Sequence, residues 1–196
     1  MTLIAIQDLY QTTAIACFTV DDERRRILFS TNHGGSYDVW ELCLDSLETN
    51  RLTFSNQHSS SLFTYDGSVY ATFDRDGDEH YQWHRVMDDG QIIPLSEEEN
   101  GSTAYFASFT SQGHIYYSTN HLNPLINVMR YDAVLGTKTL VQKGEAAPIV
   151  CAAVAPDESS YVYTESYSNT HVPAYCMVDG VSQPMIPDAV GPYGTQ

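Results

Sequence analysis

Four segments of this chain superpose on one another: Ile27-Leu28-Phe29-Ser30-Thr31-Asn32, Val69-Tyr70-Ala71-Thr72-Phe73-Asp74, Ile115-Tyr116-Tyr117-Ser118-Thr119-Asn120 and Tyr161-Val162-Tyr163-Thr164-Glu165-Ser166. Their first residues lie 42, 46 and 46 apart, and two of them run into the same Ser-Thr-Asn-His. A period in this range means that one supersecondary unit recurs, and that each copy buries its faces against its neighbours.

Ahead of each segment lies a second matched element, Phe18-Thr19, Phe63-Thr64, Phe109-Thr110 and Val154-Ala155, at intervals of 45, 46 and 45. The two elements are joined by Asp21-Asp22-Glu23, Tyr65-Asp66-Gly67, Ser111-Gln112-Gly113 and Pro156-Asp157-Glu158. Gly and Asp tolerate the left-handed conformations that a tight reversal requires, so each pair reads as strand, turn, strand. Polar stretches then lead into third apolar segments at 39–44, 81–87, 126–131 and 174–178. Fourth strands are centred on Leu52-Thr53, Leu95-Ser96, Leu140-Val141 and Ile186-Pro187.

Four antiparallel strands in about 45 residues, repeated head to tail, is the arithmetic of a β-propeller blade. The fold class expected is all-β, with about four four-stranded blades forming an incomplete propeller. Residues 1–10 read as a lead-in segment and 191–196 as a tail, flanking blades at 11–56, 57–101, 102–146 and 147–190. The second strands are apolar on consecutive residues, as expected where neighbours cover both faces of a sheet. Four blades rarely close on themselves, so the outer faces of the first and fourth are expected to be apolar and to need further blades or a second copy of the chain.

Composition limits what such an array would meet. Nine Lys and Arg against 25 Asp and Glu give a net charge of −16, which repels a phosphate backbone and argues against nucleic acid as a partner. The longest apolar run, 149–155, falls far short of the ~20 residues of a membrane-spanning helix, so no membrane partner is expected. Met1 to Tyr10 has neither Lys or Arg before its apolar residues nor a small-residue cleavage site, and a cytoplasmic address is expected. Cys17, Cys43, Cys151 and Cys176 stand singly in apolar segments and read as free thiols.

The second blade, running from Phe63-Thr64-Tyr65-Asp66-Gly67 through Asp74-Arg75-Asp76-Gly77-Asp78, resembles the Ser-Pro-Asp-Gly repeat of TolB-like propellers and of the propellers of prolyl oligopeptidase family serine peptidases. Ala155-Pro156-Asp157 is similar, and the opening Ile6-Gln7-Asp8-Leu9-Tyr10 resembles the start of acylaminoacyl-peptidase or dipeptidyl-peptidase-like members. The first turn lacks Pro and Gly, and Gln112 replaces Asp in the third. The resemblance implies a propeller cap on a C-terminal α/β-hydrolase domain that this chain does not carry, with peptides as the parent protein's substrates. Gly34-Gly35-Ser36-Tyr37-Asp38 lacks the closing glycine of a nucleophile elbow and falls between two strands, so no triad is assigned.

Other clusters read as structural. Asp74-Arg75-Asp76-Gly77-Asp78-Glu79-His80 has alternating carboxylates but not the spacing of an EF-hand, and is taken as a solvated connection in preference to a calcium loop. Two histidines four apart on a strand, such as His80 and His84, lie roughly 13 Å from each other, too far to share one zinc. His33 and His121 mark the same loop in two repeats. Glu97-Glu98-Glu99 and Arg24-Arg25-Arg26 read as solvated turns, and Trp40 and Trp83, at matched third-strand positions, as packing between blades. No catalytic, cofactor-binding or metal residue is assigned. The expected function is a non-catalytic propeller restricting peptide access to a hydrolase. The alternative is a TolB-like scaffold for protein partners, and a six-bladed calcium-dependent lactonase would need inward Glu, Asn and Asp that cannot be placed.

Overall fold

The computed structural model describes residues 13–74, 77–95 and 102–186. The lead-in 1–10, the tail 191–196, Arg75, Asp76 and Glu97 to Glu99 lie outside them. Among the described residues there are sixteen strands, arranged in four antiparallel sheets of four, each in simple sequential order. Sheet 1 contains β1 (Ile15–Asp21), β2 (Arg26–Thr31), β3 (Asp38–Cys43) and β4 (Thr49–Arg51). Sheet 2 follows as β5 (Ser59–Tyr65), β6 (Ser68–Phe73), β7 (Gln82–Val86) and β8 (Ile92–Pro94). Sheet 3 comprises β9 (Ala104–Phe109), β10 (His114–Thr119), β11 (Asn127–Asp132) and β12 (Thr137–Gln142), and sheet 4 β13 (Ile149–Val154), β14 (Ser160–Glu165), β15 (Ala174–Val178) and β16 (Val181–Pro184).

The chain divides into two compact units, one built mainly of sheets 1 and 2 and the other of sheets 3 and 4. In the first, β1 packs beside β5; in the second, β9 packs beside β13. Within each unit the sheets therefore meet along their first strands and carry their fourth strands outward, which is the arrangement of neighbouring propeller blades. The core follows from this contact. Leu28 and Val39 of sheet 1 are fully buried against Val69, Ala71 and Phe73 of sheet 2. Tyr116 and Val128 of sheet 3 are buried against Ile149, Cys151 and Tyr163 of sheet 4. Each such aliphatic side chain contributes about 1.5–3 kcal/mol relative to exposure.

The repeated Ser-Thr-Asn has a structural use in both copies. Ser30 Oγ accepts from Ser59 N at 3.3 Å, and Ser118 Oγ accepts from Cys151 N at 2.8 Å, so each serine fastens its sheet to the first strand of the next. The asparagine turns back within its own sheet: Asn32 Oδ1 accepts from Ala14 N at 2.7 Å and Asn120 Oδ1 from Thr103 N at 2.8 Å. Both serines are fully buried, where an unpaired amide would be costly.

A second set of side chains holds the segment leaving each of the first three sheets. Asp38, at the start of β3, accepts from Thr53 Oγ1 at 2.8 Å and Ser55 N at 2.9 Å and pairs with Arg51. Gln82 Nε2 donates to Ser102 O at 2.5 Å, and Asn127 Oδ1 accepts from Gly144 N at 3.1 Å. Gly144 is required there, because a Cβ would stand 2.5 Å from Ile126 O.

The second strands coincide with the repeat read from the sequence, beginning one residue before Ile27, Val69, Ile115 and Tyr161. The flanking elements differ in detail. Phe18, Phe63, Phe109 and Val154 all lie on first strands, but their partners are Phe29, Tyr70, Ile115 and Tyr161. Unequal hairpins cause the offset: Asp66-Gly67 is a two-residue turn with both φ angles positive, as type I′ requires, whereas 22–25 and 156–159 are four-residue turns. Fourth strands β4 and β8 end before Leu52 and Leu95, whose amides bond back to Val39 O and Trp83 O as the chain leaves the sheet, and β16 ends before Ile186.

Replacing Asp38 with Ala is expected to lower unfolding free energy by about 3–5 kcal/mol, because Arg51, the Thr53 hydroxyl and the Ser55 amide lose a buried acceptor. Urea unfolding of the variant against the wild type measures the loss.

Candidate functional site

The most chemically loaded cluster among the described residues lies where the hairpins of sheets 3 and 4 meet. Glu158 sits in the β13–β14 turn at φ +62°, a left-handed conformation that costs a non-glycine residue on the order of 1 kcal/mol. Its carboxylate offsets that strain. Oε1 accepts from Thr110 Oγ1 at 2.6 Å and lies 2.6 Å from His114 Nδ1, while Oε2 accepts from Tyr116 OH at 3.0 Å and lies 3.5 Å from Arg130 Nη1. His114 Nε2 is 3.4 Å from Asp132 Oδ2, so the imidazole stands between two carboxylates.

Burial raises the Glu158 carboxyl, but hydrogen bonds from Thr110, His114 and Tyr116 outweigh it and hold the group below its ordinary value. The Tyr116 hydroxyl is pushed up, first by burial and then by its bond to Glu158. Asp132 is held low chiefly by the Leu135 amide, with Val134 N and His114 adding to it. With its oxygens already engaged, Glu158 works as a latch between two sheets. The adjacent Ser159 hydroxyl donates instead to Asp157 Oδ1 at 2.8 Å. A cleft of about 460 Å3 opens beside it, lined by Val141, Tyr161, Met177 and Asp179 among others.

At the matching end of the first unit, Arg26 is buried between Asp21 and Glu41, with Nε and Nη1 each 2.9 Å from an oxygen. This corrects the solvated reading of Arg24 to Arg26: only Arg24 and Arg25, on Asp88 and Asp45, form surface pairs. A cleft of about 380 Å3 lies between the two hairpins, lined by Asp21, Asp22, Glu23 and Asp66.

Sequence-derived candidates are dispersed. Ser36 Oγ donates to Asn56 Oδ1 at 2.6 Å and is part of a loop between β2 and β3. In the 74–80 cluster Asp74 is buried, Gly77 and Glu79 have positive φ, and His80 Nδ1 lies 3.2 Å from Thr103 Oγ1. His33 packs edge-on against Trp40, and His84 against Phe73. Trp83 does not match Trp40. Leu95 N donates to Trp83 O as Leu52 N does to Val39 O, so Trp83 is the counterpart of Val39 and faces the opposite side of its sheet. It packs on Phe63 of its own sheet. Glu158, His114 and Asp38 escaped the sequence reading. The available signal was spacing, since Thr110 and His114 stand 48 and 44 residues from Glu158, about one repeat.

No family model matches the chain, and no curated protein does. Solved structures do. TolB from Acinetobacter baumannii superposes with a TM-score of 0.64 at 12% identity, covering 89% of this chain and 44% of that one. Dipeptidyl peptidase 4 from Porphyromonas gingivalis gives 0.66 at 12%, covering 91% and 27%. Prolyl oligopeptidase B from Galerina marginata, bound to a 35mer hydrolysis and macrocyclization substrate, gives 0.63 at 12%, covering 87% and 25%. The fold is that of their propellers. This propeller chain spans less than half the length of that TolB and about a quarter of the two peptidases.

Acidification tests the latch. A carboxyl held low when folded contributes stability above its ordinary value of 4.5, and that contribution disappears as pH falls through the folded value. Glu158→Gln is therefore expected to be less stable than wild type at neutral pH, with the gap closing as pH falls below the ordinary carboxyl value and through the lower folded one, as followed by thermal unfolding across pH.

Proposed function

We propose that the chain is the non-catalytic β-propeller portion of a serine peptidase-like hydrolase, restricting bulky chains from a C-terminal α/β-hydrolase domain carried beyond this sequence. The observation that carries the reading is the asymmetry of coverage. The match takes in 87–91% of this chain but only 25–28% of the peptidase chains, as a propeller cap and not an active domain would. The mechanism is steric: a ring of sheets admits a short flexible peptide and turns away a folded one. Substrates are peptides of the parent protein, and the residues that cut them belong to the other domain. Four unpaired thiols support a cytoplasmic address, because oxidising compartments favour disulfides. Burial pushes the Cys151 thiol up to about 12, which suits a packing role.

The purified chain is expected to give no serine-dependent turnover of peptide or ester substrates, and the coding sequence that continues it to encode a Gly-x-Ser-x-Gly elbow with downstream Asp and His. Turnover abolished by a serine-directed inhibitor would remove the non-catalytic assignment. A reading frame closing after the propeller without a hydrolase would favour the scaffold alternative.

A further inference from the structure

Sheets in this chain have two unlike faces, and the positions on each can be matched through the strand pairing. The forward face of sheet 1, formed by Leu28, Ser30 and Val39, is fully buried by sheet 2. Its counterparts in sheet 3, Tyr116, Ser118 and Val128, are buried by sheet 4. In sheet 4 the same positions are Val162, Thr164 and Ala174, paired through Val162 with Cys176 and Thr164 with Ala174 and Val150. All five are only half-buried, and Val178 and Val181 extend the face with 38% and 57% exposure. The chemistry is that of an occupied face: small aliphatic residues around a hydroxyl placed where Ser30 and Ser118 accept a neighbour's amide.

The complementary surface is the rear face of sheet 1. Phe18, Val20, Ile27, Phe29, Trp40 and Leu42 stand on it, matching the rear positions of sheet 4 that pack on sheet 3, among them Val154, Tyr161, Tyr163, Tyr175 and Met177. Phe18 is 68% exposed. The amides received by Ser30 and Ser118 belong to Ser59 and Cys151, each the residue before the bulge of its first strand. The corresponding residue of β1 is Ile15.

We infer that the forward face of sheet 4 docks on the rear face of sheet 1 of a second copy of this chain, repeating between molecules the contact that sheets make within each unit. The occupant is a second copy because the rear face of sheet 1 carries the large apolar side chains, at the right strand positions, that the small-residue face of sheet 4 accommodates. Such a contact is head-to-tail, closing into a pair or extending into a series according to its rotation. The inference rests on the blade architecture and concerns the 196-residue chain by itself; the peptidase reading, under which further blades would take the same two faces, is decided separately by activity assays.

Sedimentation velocity of the 196-residue chain over a range of concentrations is expected to show species of at least twice the 21.9 kDa chain mass. Phe18→Glu and Val162→Glu should each return the mass of one chain with unchanged circular dichroism. Val178→Glu, on the same face as Val162, replaces the latter if it disturbs folding. Mixing a rear-face with a forward-face variant should restore a capped pair and nothing larger, since one intact contact remains between them. Wild-type chain that stays at single-chain mass throughout overturns the inference, as does an assembly untouched by both variants or a mixture that stays monomeric.

Discussion

Everything in this molecule depends on one sheet covering the face of the next. A four-stranded sheet of this composition cannot bury Leu28, Val39, Tyr116 and Val128 within itself, since strand side chains leave both faces and only a neighbour removes them from water. Non-directional burial would allow sheets to slide over one another. The buried serines prevent that: Ser30 and Ser118 each tie a defined atom of one sheet to a defined amide of the next. Apolar area supplies the attraction, and directional hydrogen bonds such as these supply the alignment.

The polar residues follow the same division. Asp38, Gln82 and Asn127 are three different side chains at one structural position, alike only in reaching the backbone that leaves the sheet. Glu158 and Arg26 occupy hairpin ends, where Glu158 ties sheet 4 to sheet 3 and Arg26 ties β1 to β3 within sheet 1. Such groups look like sites when met as isolated clusters of charge. In the fold they complete the blade.

Much of the architecture was legible because the repeat is carried by second strands, which are apolar on consecutive residues in Ile27-Leu28-Phe29 and Ile115-Tyr116-Tyr117 and are six residues long in every sheet. Register was less legible. Hairpins of two to four residues shift Phe63 against Phe109, and a shift of one moves Trp83 to the other face from Trp40. Two outer strands were less legible because Leu52 and Leu95 stand out as apolar residues, while the pairing is made just before them, by Thr49 to Arg51 and by Ile92 to Pro94. The Glu158 latch was hidden for a different reason: its members come from neighbouring repeats, so no local window contains them.

The fourth sheet differs at one further point. Where the others carry Asp38, Gln82 and Asn127, it has Pro173, which offers neither an acceptor side chain nor an N–H, and the backbone leaving β16 is joined to its sheet by Met185 N donating to Ala174 O. Mechanical load drawn through the carboxyl side would therefore find its weakest grip here. Under tension β16 would unzip one rung at a time from its outer edge, leaving the buried seam between sheets 3 and 4 to yield last.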